Sequence, residues 1–109
     1  MDDLVLSRKE ASEAVQDCGW RFLLGTVRTS VPVDSSARAV ALAADAVAVC
    51  GDHADGHLRI DVRPDRVVFT LQSVDQAAVT ARDVELARRI SSAAAAAGRG
   101  ARRGVCGAG

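Results

Sequence analysis

The segment from Asp52 to Asp83 constrains this chain most, because it reads as a tight hairpin of fixed register that runs directly into a capped helix. Leu58, Ile60 and Val62 alternate with polar residues, and Val67, Phe69 and Leu71 do the same, which is the period of two half-buried strands. Between them Pro64 pre-sets the first position of a turn and Asp65 suits the next, giving a type I turn. The resulting pairing sets Val62 opposite Val67, Ile60 opposite Phe69 and Leu58 opposite Leu71. A one-residue slip would set every one of these side chains against a polar neighbour, so the register is specified. The same pairing places His57 on the polar face opposite Gln72, Gly56 opposite Ser73 and Asp55 near Val74, so the strand ends converge.

Around this hairpin the other elements follow from caps and periodicity. Ser7 with Glu10 has the capping-box spacing, and Ala11, Ala14, Val15 and Cys18 recur at helical intervals before Gly19 ends the helix. Trp20 to Leu24 and Thr26 to Val33 read as two short strands hinged near Gly25, with Pro32 marking an edge or an end. Asp34 or Ser35 caps a second helix, whose inward set is read as Ala37, Val40, Ala41, Ala44, Val47 and Ala48. Its other side is also mostly apolar, with only Arg38 and Asp45 charged, so it is expected to bury two sides, one against a second subunit. A third helix starts at Thr80, with Asp83 three residues on, and turns Val84, Ala87, Ile90, Ala94 and Ala97 inward before Gly98. The order is helix, two strands, helix, two strands, helix. Residues 1–97 form one expected domain, and the glycine- and arginine-rich stretch 98–109 has little to bury, as a disordered tail or a linker does.

With 109 residues, 49% of them hydrophobic, the chain suits one small domain whose modest core would gain from association with other copies. Formal net charge is zero, so no bulk field attracts nucleic acid or an acidic membrane. Cys18, Cys50 and Cys106 are an odd, widely spaced set without metal-ligand spacing, which fits a reducing cytoplasm better than a disulfide framework. The start Met1-Asp2-Asp3 lacks the basic region of a signal peptide, and the apolar run from Ala39 to Cys50 is short and broken by Asp45.

The stretch from Gly56 to Ile90, with Gly19 and Trp20 upstream, resembles the pterin-4a-carbinolamine dehydratase family, and the likeness extends weakly across residues 4–97. Its strongest parts are the paired strands, the loop ending in Val79, Thr80, Ala81, Arg82 and Asp83, and the run from Glu85 to Ile90. The resemblance implies an α+β fold, a four-stranded antiparallel sheet with three helices on one face, and assembly into homodimers or homotetramers. It also implies a hydro-lyase reaction on a 4a-hydroxytetrahydropterin, in which hydroxide leaves C4a and N5 gives up its proton, with no metal or other cofactor. Imidazoles titrating near neutrality suit both proton transfers.

Carried over residue by residue, the family's His-His-Pro run falls on Gly56, His57 and Leu58, and its distal histidine on Val74. The acid four positions before the pair falls on Asp52, a loop acid on Asp75 and the helix-start acid on Asp83, while Pro64 and Asp65 stand where a strand aromatic is expected. One imidazole of three remains. The resemblance thus assigns catalysis to His57 with Asp52 as its support, and the pocket lining to Gly56, Leu58, Val74 and Asp75. Against this stands a fold-retaining, non-catalytic module that binds a small molecule or serves protein assembly, since glycine at 56 and valine at 74 leave a cavity suited to apolar contact.

The remaining features have ordinary readings beside the functional ones. His57 is equally an exposed strand histidine, and His53 is read as a loop histidine rather than a replacement imidazole. His53 and His57 have HxxxH spacing, but Gly56 and the following strand are expected to remove the helix that a two-ligand metal site needs. Asp83 is read as a helix cap. Arg99, Arg102 and Arg103 lie in a solvated tail without interleaved aromatics, so nucleic acid is not an expected partner.

Overall fold

Ser7 and Glu10 close both halves of the capping box in the computed structural model, which describes residues 5–16 and 19–96. The Ser7 hydroxyl accepts the Glu10 N–H at 3.1 Å and the Glu10 carboxylate accepts the Ser7 N–H at 2.9 Å. They start helix α1 (Arg8–Val15), which buries Ala11 and Val15. The expectations for Cys18, Cys106, Ala97 and the 98–109 tail lie outside the described residues.

Strands β1 (Arg21–Leu23) and β2 (Thr26–Pro32) form an antiparallel hairpin through Leu24 and Gly25, whose φ angles are 50° and 77°. Both turn positions are left-handed, the requirement of a two-residue I′ turn; Gly25 meets it freely and Leu24, 91% exposed, does not. Pro32 ends β2, which is an inner strand rather than an edge. Ser35 caps α2 (Ser36–Cys50) by accepting the Arg38 N–H.

The inward face of α2 differs from the sequence reading. Ala39, Leu42, Ala46 and Cys50 are buried, whereas Val40 is 59% and Val47 46% exposed, and Ala37, Ala41, Ala44 and Ala48 are exposed with them. Two apolar faces compete for the core on this helix, and hydropathy alone does not rank them; the face carrying Leu42, the longest apolar side chain of the helix, packs inward.

Strands β3 (Leu58–Val62) and β4 (Arg66–Leu71) pair in the register read from the sequence, with Leu58 opposite Leu71, Ile60 opposite Phe69 and Val62 opposite Val67. The four-stranded antiparallel sheet has the order β1-β2-β4-β3. Val27 and Val31 of β2 and Val67, Phe69 and Leu71 of β4 are buried beneath the long helices α1, α2 and α4 (Ala81–Ala96). Trp20 is buried at one end of this core and its indole N–H donates to Ser91 Oγ at 2.8 Å.

A second departure shapes the site. Residues 51–57 do not extend the strand: Gly51–His53 form a 3₁₀ turn and Ala54–His57 a short helix, α3. Gly51, at φ 59°, ends α2 and redirects the chain into this turn. The alternation of β3 therefore begins at Leu58, and the ring of His57 is released from the polar face on which a longer strand would hold it.

Candidate active site

The loop between β4 and α4 supplies the base on which the site rests. Its backbone is pinned by Ser73 N–H to Ala78 O at 2.9 Å and Val74 N–H to Gly56 O at 3.1 Å, so it closes against the last turn of α3. Gln72 N–H donates to His57 O at 3.0 Å, as the hairpin register requires, but Gly56 meets Val74 rather than Ser73 because the chain is already helical there.

Beneath this junction lies a buried carboxylate. Asp83, fully buried, stands in the first turn of α4 and accepts the Thr80 N–H at 2.9 Å through Oδ2, satisfying a donor that the helix start leaves free. The Ser73 hydroxyl donates to the same oxygen at 2.8 Å, and the Thr80 hydroxyl lies 3.2 Å from it and 2.8 Å from Ser73 Oγ. The other oxygen, Oδ1, lies 2.7 Å from His57 Nδ1. A buried carboxylate is tolerated where its lone pairs are used this fully.

The consequence for His57 is a fixed tautomer. An ionised carboxylate only accepts, so Nδ1 carries the proton and donates to Asp83, with Ser73 Oγ 3.2 Å away on the same side. In the neutral ring Nε2 then carries a lone pair. The His57 side chain is 15% exposed, enough for a ligand to reach an otherwise enclosed ring. This is an acid-base dyad: a titratable ring whose orientation is set by a buried carboxylate behind it.

Other residues read from the sequence fall differently. Asp52 is exposed and makes no bond to His57, whose ring instead meets Asp83, the residue read as a helix cap, which also accepts the Thr80 N–H. Leu58 is half-buried and packs against the core. Gly56, Val74 and Asp75 are exposed, the Val74 N–H donates to Gly56 O, and a Cβ built on Gly56 would meet no heavy atom within 4 Å. His53 is half-buried rather than a free loop residue, with its ring 6.0 Å from that of His57 and edge-on to it. Ser73 and Thr80 were not legible as site residues, although the Thr80–Asp83 spacing was the available signal. Among the described residues no group of three or more His, Cys, Asp or Glu side chains gathers as metal ligands, and no helix is long and apolar enough to cross a membrane.

A four-stranded antiparallel sheet under three long helices, with a histidine-carboxylate pair at one end of its outer hairpin, defines a small α+β protein. The family model for pterin 4 alpha carbinolamine dehydratase matches residues 5–93, and the chain belongs to that family. It is 34% identical over 91 residues to a Nocardia farcinica protein named "Putative pterin-4-alpha-carbinolamine dehydratase", covering 83% of this chain and 95% of that one. The crystal structure of a transcriptional coactivator/pterin dehydratase from Brucella melitensis superposes with a TM-score of 0.71 at 25% identity, over 83% of this chain and 98% of the other.

Proposed function

We propose that the chain dehydrates a 4a-hydroxytetrahydropterin to the quinonoid dihydropterin, as a homo-oligomer in the cytoplasm. The observation that supports this best is the His57–Asp83 dyad, with its 2.7 Å bond. In the reaction the C4a–O bond breaks, the departing oxygen gains a proton and leaves as water, and N5 loses its proton as the C4a–N5 double bond forms. With Nδ1 held protonated, His57 presents the Nε2 lone pair and serves as the base at N5. Gly56, Val74 and Asp75 are the lining residues, and Asp52 remains a further acid at the rim. The exposed row Ala37, Val40, Ala44 and Val47 on α2 is the surface proposed for self-association.

A second reading has its own support, in glycine and valine standing at two positions where the family carries imidazoles. On that reading the chain is a non-catalytic binding or assembly module on the same fold, and the Brucella relative carries the name transcriptional coactivator/pterin dehydratase. One measurement separates the two. Dehydration of a chemically generated 4a-carbinolamine by the purified chain, abolished in His57→Ala, supports the enzyme; a rate equal to the uncatalysed one supports the module.

A further inference from the structure

We infer that His53 is the second imidazole of the site and delivers the proton to the departing hydroxyl, an inference that rests on the dehydratase reading. The tautomer of His57 makes the need specific. Asp83 takes the Nδ1–H, so a neutral ring that serves as the base at N5 through Nε2 cannot also give a proton at that edge. Loss of hydroxide from C4a requires a donor on the oxygen while a base waits at N5, and a base cannot open the reaction as the acid.

The helical turn that the sequence conceals supplies the donor. Across residues 51–57 His53 and His57 stand four positions apart, which places two side chains on one face of a helix. Their ring centroids are 6.0 Å apart with an interplanar angle of 81°. Two rings at that separation come within hydrogen-bond reach of two neighbouring ligand atoms, as the oxygen on C4a and the adjacent N5 are. His53 is half-buried, and among the described residues its ring nitrogens have no hydrogen-bond partner. Gly56, one residue before His57 on the same turn, leaves open space beside the pair. The imidazole missing at position 56 is thus replaced from position 53, one helical turn earlier. The protons balance: His53 as imidazolium gives one to the hydroxyl, which leaves as water, His57 takes one from N5, and exchange with solvent returns both rings to their starting states.

The test compares wild type, His53→Phe and His53→Ala in dehydration of a chemically generated 4a-hydroxytetrahydropterin. Phenylalanine keeps a ring packed against His57 and removes proton transfer, so kcat is expected to fall about 10²-fold with KM changed less than about threefold. His53→Ala is expected to regain part of the loss when imidazole is added to the buffer, which a packing role would not allow. A His53→Phe enzyme within about twofold of wild type overturns the assignment to His53 and leaves the dehydratase reading intact. A wild-type chain with no activity above background overturns both.

Discussion

His57 Nδ1 and Asp83 Oδ1 lie 2.7 Å apart although 26 positions separate the two residues in sequence. The bond joins the last residue of a short helix to the first turn of α4, so the sheet end and the helix start are held together by the group that also orients the imidazole. In Asp83→Asn the Thr80 N–H keeps an acceptor, but an amide group facing His57 favours the other tautomer. We expect kcat for carbinolamine dehydration to drop roughly 10²- to 10⁴-fold while far-UV circular dichroism is preserved. Equal rates in the two proteins would remove Asp83 from the mechanism.

Restoring imidazoles tests the site from the opposite direction. Gly56 has open space where a side chain would begin, and Val74 is 46% exposed, so both accept histidine without repacking. Gly56→His and Val74→His are expected to raise the dehydration rate, the pair together by about 10²-fold. No gain in the double variant would mean that these positions do not face the reacting atoms.

Leu24 carries backbone strain with no packing return, at φ 50° and 91% exposed. Leu24→Asn creates the Asn-Gly pair that an I′ turn prefers and is expected to stabilise the fold by about 0.5–1 kcal/mol. Urea denaturation with an unchanged slope and a higher midpoint is the supporting result; a lower midpoint contradicts it.

Cys50 is buried, and desolvation pushes its thiol up to about 11 from an ordinary 9, against a smaller opposing pull from Arg89. The folded state favours the neutral thiol, so its contribution to stability is complete below pH 9 and is lost as pH rises towards 11. Denaturant titrations of wild type and Cys50→Ala at pH 8 and pH 10.5 should show a steeper loss for the wild type. Parallel losses in both proteins would show that folding does not raise the thiol's pKa.

Val40 and Val47 lie on the outer face of α2 beside exposed alanines. If this face joins subunits, Val40→Asp with Val47→Asp places two charges in an apolar contact and converts the assembly to monomers. Light scattering reads the mass directly. An assembly unchanged by both substitutions locates the contact elsewhere.

The hairpin register was legible because alternation has a period of two and a slip exchanges the faces of every residue from Leu58 to Val62 and from Val67 to Leu71. The α1 cap was legible for a similar reason, since Ser7 and Glu10 meet through three residues of local chain. The structure decided what local chain cannot. Position 57 lies where strand periodicity runs out, and there 54–57 form a helix whose Gly56 carbonyl meets Val74 of the β4–α4 loop and whose His57 ring meets Asp83.

The face that α2 buries and the carboxylate that His57 finds were settled in the same way. Nearly every face of α2 is apolar, so its hydropathy is degenerate until a sheet of definite shape selects Leu42 and Cys50 over Val40 and Val47. Asp52 lies close to His57 in sequence and Asp83 far from it, yet Asp83 is the acid in contact, because a side-chain contact depends on where the helices pack and chain separation records only the local path.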